Sequence, residues 1–565
     1  MKEEIKYTDE WLLLEKGKNY LRLKNIYSDN DICHRYYNGD QCRDLKLTSI
    51  EPIVYNVIKP IVKYKIGVIN SNGYDIVFSA NNYDMPEFQK EVDALCKKIN
   101  KYISKCNEIS KIHKKIRKII KKAAITSEGI IYFTYDIEKN EIKAEIVDKT
   151  NIFYGNENED ETQEQPYMLL TFRRDVDTIR EIARKNNVSE EEIMNIVGDN
   201  ETQEQSGDYA KDELNNMVEC VLKLYKKDGK VYSKRSTSSV VYESEQPTGL
   251  TYYPVVHYVW EDEEGSARGV GEVKPNIPNQ KEINKTAMRR ALSVKMCAYA
   301  KLAYAEDKIS NPNTITQVGT PIKVKDMNAT DDIRKVVGYV QPATMSSDSK
   351  ELQVELMTNT QELAGAGDGA TGKINPEDAS GKAILAVQQA TQMPLTEQTE
   401  RIKDLYEEVG LIMFDMWQVY TPDEGKQILV EQTDEQGQVM EVAETIPKSI
   451  IERMKVNVKV DVTPKTPYDR LAQELSLENL LTKGYIKFEE YVQALPQDST
   501  MPKPILEKII KAREEIKKKI MMQQQIVNQQ NALMEQRLQQ DMQVANQYND
   551  AVNQIGGNQS EMQTM

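Results

Sequence analysis

Apolar residues recur at helical spacing through Trp11 to Ile26 and again through Ile50 to Val68. Residues 1–125 therefore read as mostly helical. Asn70-Ser71-Asn72-Gly73 marks a turn and Tyr74 to Phe78 a short strand. Pro86 to about Ile125 predicts one or two helices. From 128 to 260 the period switches to strand. Gly129 to Tyr135, Ile142 to Val147, Met168 to Phe172, Val218 to Tyr225 and Val255 to Trp260 are the extended candidates. Ser189-Glu-Glu-Glu192 is a helix-start signal.

Residues 276–308 predict a helix, with Ile283, Ala287, Ala291, Val294, Ala298 and Leu302 on one stripe. Pro312, Gly319, Pro321, Gly338 and Pro342 then break the chain into short strand candidates at Ile322 to Val324 and Val336 to Val340. Ser349 to Ala364 is helical again. A glycine-rich loop follows, from Gly365 to Pro376. A long helix is expected from about Ala379 to Tyr420, kinked at Pro394. Ile428 to Val442 reads as a hairpin and Lys455 to Val462 as a half-buried strand. Helices return at 467–482, 487–494 and 503–535. The segment from Met521 to Met565 holds 13 Gln and 6 Asn but keeps Val527, Met534, Leu538, Ala545 and Val552 on a stripe. It reads as partly helical, fraying after Gly556-Gly557 and stabilised beside copies of itself.

Composition narrows the possibilities. The chain has 565 residues, 39% hydrophobic and 29% charged, which suits more than one folded unit and excludes a wholly disordered chain. No run of 18 apolar residues exists, so no membrane helix is expected. Met1 to Lys18 is too polar for a signal peptide. Cys33, Cys42, Cys96, Cys106, Cys220 and Cys297 form no CxxC pattern and read as reduced thiols of an intracellular product. Only His34, His113 and His257 are present, few for histidine-based hydrolysis or zinc chemistry. The net charge of −15 argues against a protein that grips DNA through many phosphates. The 30 tyrosines against 7 phenylalanines suit half-wet positions such as subunit interfaces.

Several motifs have a chemical and a bland reading. Gly367-Asp-Gly-Ala-Thr-Gly372-Lys373 satisfies GxxxxGK, the phosphate-cradling loop of nucleotide-driven enzymes. The next residue is Ile374, where that loop needs a magnesium-binding Ser or Thr, and a helix rather than a strand is expected before it. The alternative is a mobile loop between two helices. Gly269-Val-Gly271 is a fragment of a dinucleotide fingerprint, or a turn into the next helix. Lys97 to Lys122 carries eleven Lys/Arg and one Glu beside an isoleucine face. It suits nucleic acid or a solvated interface helix. Cys33-His34 with Cys42 fits no standard zinc spacing.

The order of stretches is more specific than any one motif. Tyr36-Tyr-Asn-Gly-Asp-Gln41 precedes Asn56-Val-Ile-Lys-Pro-Ile-Val62 and Gly67. Gly129-Ile-Ile-Tyr132 follows a helix. Pro254-Val-Val-His-Tyr-Val-Trp260 leads to Gly269-Val-Gly-Glu272 and then Gln280 to Asn284. Ser380-Gly-Lys-Ala383 opens the long helix. Over roughly residues 30–465 this series resembles the portal protein family of tailed double-stranded DNA bacteriophages.

The resemblance implies an α+β, predominantly helical portal fold. A wing would comprise 1–270 and 425–465, and stem helices 271–308 and 346–364. A clip would occupy 309–345, a tunnel loop 365–378 and a long kinked helix 379–424. A helical crown would fill 466–520, and the Gln/Asn-rich tail 521–565. Gly367, Asp368, Gly369, Thr371, Gly372, Lys373 and Asn375 would face DNA. Lys281, Lys285 and Arg289 would form a basic stem face, or meet a neighbouring subunit or solvent. Pro312, Gly319, Pro321, Lys323, Lys325, Arg334 and Lys335 would serve docking at the clip. No catalysis, metal or cofactor is implied. The partners would be copies of the chain in a ring, usually of twelve, and double-stranded DNA read without sequence specificity. Terminase, a head–tail adaptor, scaffold and major capsid proteins complete the set, with no membrane. The location would be the capsid portal vertex, and host cytoplasm during assembly. The competing readings are another virion structural protein, from the tail or minor capsid, and a DNA-processing ATPase using Lys373.

Overall fold

The computed structural model describes residues 7–43, 51–81, 86–198, 216–298, 301–340 (except 316, 318, 329 and 331), 348–367, 393–433, 439–464, 467–495 and 503–560. Helix makes up 54% and strand 21%, an α+β chain in which helix dominates. It divides into two compact units, Met1–Thr463 and Pro464–Met565.

The first unit opens with α1 (Asp9–Leu23), α2 (Ile26–Asn38), α3 (Ile58–Ile69), β1 (Asn72–Ala80), α4 (Pro86–Ser110) and α5 (Ile112–Thr126). β2 (Glu128–Asp136), β3 (Glu141–Val147), β4 (Ile152–Tyr154), β5 (Tyr167–Asp175), α6 (Val176–Lys185) and α7 (Glu190–Met194) follow. β6 (Met217–Lys227), β7 (Lys230–Ser236), β8 (Val241–Pro247) and β9 (Val255–Val259) complete the strand-rich part. Then come α8 (Val273–Ala298), β10 (Lys301–Tyr304), β11 (Val337–Val340) and α9 (Asp348–Leu363). α10 (Thr396–Tyr420), β12 (Lys426–Thr433), β13 (Val439–Ile446), α11 (Lys448–Arg453) and β14 (Val456–Pro464) finish it.

Two sheets organise this unit, one in the order β3-β2-β9 and one in the order β4-β5-β6-β7-β8. All their pairings are antiparallel. α5 lies on the first sheet through Ile112, Ile116, Ile119 and Ile120, which are buried at 3–4 spacing. α10 closes the same core with Ile402, Leu405, Val409, Ile412, Met413 and Met416. β1 pairs with β14 beside it, so residues far apart in sequence share one core. Ser189 starts α7 as its sequence signals. Its hydroxyl accepts from Glu192 N at 3.3 Å and donates to the Glu192 carboxylate at 2.8 Å.

Three differences from the sequence reading have physical reasons. The helix expected over 276–308 starts at Val273 and stops at Ala298. Lys301–Tyr304 is instead a strand paired with Val337–Val340, because Leu302 and Val337 then join Ile309, Ile315 and Val336 in a small separate core. The stripe through Leu302 thus continues as burial in a different element. Second, β7 and β8 carry no expectation above. Their faces are mostly polar and only half-buried, so periodicity marks them weakly. Third, Pro394 lies in a 3₁₀ turn, Met393–Leu395, that precedes α10. Residues 379–392 of the expected long helix lie outside the described residues.

The second unit contains α12 (Pro467–Thr482), α13 (Phe488–Ala494) and α14 (Lys503–Ser560). Tyr491, Val492 and Leu495 form its core with Leu477, Leu481, Leu506 and Ile510. α14 runs 58 residues and passes through Gly556-Gly557 rather than ending there. Ile505, Ile516, Val527 and Leu538 repeat every eleven residues along it and are all more than half exposed. An eleven-residue repeat keeps a stripe on one side of a helix and suits a right-handed superhelix.

Candidate functional site

Three of the sequence stretches named above, Tyr36 to Gln41, Asn56 to Val62 and Gln280 to Asn284, converge at α8, and Ser380 to Ala383 lies outside the described residues. Gln280 is fully buried and brackets the backbone ahead of α3. Its carbonyl accepts from Val57 N at 2.9 Å, and its amide donates to Tyr55 O at 2.7 Å. Asn284, one turn on, accepts from Tyr55 N at 3.1 Å and donates to Gln41 at 2.6 Å. Gln41 and Asn56 both donate to Tyr36 O, at 2.9 and 3.2 Å. Side-chain amides suit this task because each supplies donors and an acceptor to backbone that no sheet or helix satisfies.

The chain leading into α8 is held just as tightly. Arg268 is buried and donates to Glu157 at 2.8 Å, Lys149 O at 3.0 Å, Ile152 O at 2.9 Å and Glu128 at 3.4 Å. His257 shares the same Glu128 carboxylate at 3.2 Å. Burial works against the Glu128 charge, but Arg268 and His257 overcome it and hold its pKa down at about 2. The Lys149 amine, packed against Thr126 O and Ser127, has its pKa lowered by burial. Glu128, Lys149 and Arg268 line a cavity of about 540 Å³. A Cβ on Gly269 would stand 2.0 Å from Val259 Cγ1, and one on Gly129 2.4 Å from Ile119 O. The Gly269-Val-Gly271 turn therefore serves close packing at the entry to α8.

α8 and α9 run antiparallel. Arg290 donates to Gln353 at 3.2 Å, while Ile283 clusters with Leu356, Met357 and Ala364. Lys281, Lys285 and Arg289 are exposed on α8. Lys285 and Arg289 share Glu282, at 3.5 and 3.2 Å, and Lys281 lies 6.0 Å from the Tyr36 ring centre. Their positive field is thus partly offset.

Residues 301–340 form a small body on the β10–β11 pair. Gly319, Pro321, Lys323, Lys325, Arg334 and Lys335 are exposed and Pro312 is half-buried. Ser310 N donates to Lys323 O at 2.9 Å and Lys325 N to Lys308 O at 2.8 Å, which holds this cationic edge in place.

Gly365, at φ +68°, ends α9, and Ala366 is buried behind it. A helix, not a strand, leads into the glycine-rich segment. Gly367 is the last described residue there. Asp368, Gly369, Thr371, Gly372, Lys373 and Asn375 lie outside the described residues.

A second cavity of about 390 Å³ opens along α10. Asp160, Glu161, Asp262, Asp404, Glu407 and Glu408 line it with Arg401, which pairs with Asp262. Glu408 accepts from Gln163 at 3.1 Å, and burial pushes its pKa up to about 7.

Among the described residues no group of three or more His, Cys, Asp or Glu is placed to hold a metal. His113 meets Tyr406 at 3.1 Å and His257 meets Glu128, both as packing partners. Among the described residues no helix is long and apolar enough to cross a membrane. The amide network and the Arg268 hub were not singled out from sequence. The sequence signal for them is the presence of the amides Gln41, Asn56, Gln280 and Asn284 within the family-like stretches, and an Arg directly before Gly269.

A family description, phage P22-like portal protein, matches residues 24–565. No curated protein matches the chain.

Proposed function

We propose, on the premise that this chain belongs to the phage P22-like portal protein family, that its copies close into a ring at one capsid vertex and conduct DNA into and out of the head. The family match over residues 24–565 carries this reading.

In it, α8 and α9 are the stem. The body at 301–340 is the clip, with Pro312, Gly319, Pro321, Lys323, Lys325, Arg334 and Lys335 offered first to terminase and then to a head–tail adaptor. The segment 365–378 faces DNA with few charges, so a sliding duplex is not trapped. The partly offset charges of Lys281, Lys285 and Arg289 suit the same task. A ring of this kind is a heterologous contact that closes on itself, twelvefold in this reading. The exposed stripe of α14 then packs against its copies within the head. Scaffold and major capsid proteins are the remaining partners. The chain performs no catalysis and uses no cofactor.

Negative-stain microscopy of the purified full-length protein, alone and with scaffold, is expected to show rings with a central hole. A chain that stays monomeric in both conditions overturns the reading.

A further inference from the structure

One strongly charged face has no role so far. α5 buries its isoleucines and turns Lys114, Lys118 and Lys121 to solvent, all exposed. α3 adds Lys59 and Lys63, one helical turn apart. Lys59 and Lys121 both stand 5.7 Å from the Tyr37 ring centre, which joins the two helices into one cationic surface. The single ion pair on α5 among the described residues is Lys122 with Asp148, at 2.9 Å. The chain as a whole carries −15, so this face is an exception within it.

Its complement is on the same chain. The cleft along α10 gathers Asp160, Glu161, Asp404 and Glu407, none ion-paired among the described residues. The two surfaces lie on opposite sides of α10. α5 reaches α10 through His113, which bonds Tyr406 at 3.1 Å. Asp404 and Glu408 are each two residues from Tyr406, and two residues along a helix is a turn of about 160° away. Among the described residues no cation of α3 or α5 pairs with a carboxylate of the cleft in its own chain.

We infer that the α3–α5 basic face of one subunit docks on the α10 acidic cleft of the next. This rests on the ring reading and names the contact that closes the ring. A head-to-tail contact uses a different patch from each subunit, and opposite charges set register and reject wrong orientations. It also relieves the carboxylate crowding around Glu408. An acidic protein from outside the ring is disfavoured because the complement of this face is present at equal stoichiometry in every copy.

The test uses three full-length variants beside the wild type. One is Lys114→Glu, Lys118→Glu and Lys121→Glu. The second is Asp160→Lys, Asp404→Lys and Glu407→Lys. The third combines all six. Ring and monomer are counted by mass photometry, with circular dichroism to establish folding. Each single-face variant is expected to lower the ring fraction at least tenfold, and the six-fold swap to restore it to within about threefold of wild type. Rings at wild-type level in the basic-face variant overturn the inference while leaving the ring reading intact. Loss of duplex DNA retention in that same variant would assign the face to nucleic acid instead. A six-fold swap no better than either parent also overturns it. A wild type without rings overturns the ring reading first. Any single-face variant that fails to fold is replaced by one with Gln or Asn at the same three positions, for which a tenfold loss is again expected and an unchanged ring fraction again overturns.

Discussion

Arg268 fixes the approach to α8 by satisfying two backbone carbonyls and two carboxylates from one buried guanidinium. Replacing it by Met leaves the buried Glu128 with His257 and Lys149 beside it but without its strongest cationic partner, at a cost of about 3 kcal/mol. The pH dependence carries a sign. In the wild type Glu128 is held at about 2, so its contribution is fully present above the ordinary carboxylate value and is lost as pH falls toward 2. In Arg268→Met burial dominates and raises the Glu128 pKa, so the penalty grows as pH rises. The gap in Tm between wild type and variant is therefore expected to widen from pH 4 to pH 7 in thermal melts. A gap independent of pH would contradict this account. None of this was legible in sequence, where a buried arginine reads like an exposed one. Gly269 beside it was visible, but only the 2.0 Å approach of Val259 tells why it is glycine.

Elements with a full apolar stripe were legible. α5, β5, β6 and β14 stand close to where the sequence places them, because each carries its own apolar residues, on one face in α5 and β14 and on both faces in β5 and β6. Of the helix expected over 379–420, residues 396–420 are helical and 379–392 lie outside the described residues. β10 was not, since Leu302 fits a helical stripe as well as it fits the small core around Ile309 and Val336. α14 shows the converse case. Part of its stripe, at Val527 and Leu538, is plain in sequence, yet among the described residues Ile516 and Val527 remain 57% and 52% exposed. A helix that long draws its stability from packing rather than propensity. Ile516→Asp with Val527→Asp is expected to lower ellipticity at 222 nm in assembled protein while leaving the melting transition of residues 1–463 in place. Unchanged ellipticity would mean that the stripe has no partner in the assembly.

At the scale of the whole molecule, charge is the property that assembly transforms. In the proposed ring of twelve, copies at −15 each would carry about −180 formal charges. On α8, Lys285 and Arg289 are offset by Glu282, and the cations of α3 and α5 are assigned to the neighbouring subunit. Binding of duplex DNA to purified rings is therefore expected to be weak, with a slope of log K against log salt shallower than about −3. A slope near −10 in a fluorescence-anisotropy titration would show that the channel holds many phosphates and would refute the sliding passage.

By itself the sequence determined most kinds of element and the family likeness. Those depend on local periodicity, residue counts and short ordered motifs. Tertiary structure decided which distant segments meet. It brought Gln41, Asn56, Gln280 and Asn284 into one buried network and Arg268 to Glu128, and it set α5 and the acidic cleft on opposite sides of α10. Such contacts depend on how sheets and helices fold back on one another. A pattern read along the chain carries no record of that distance in space.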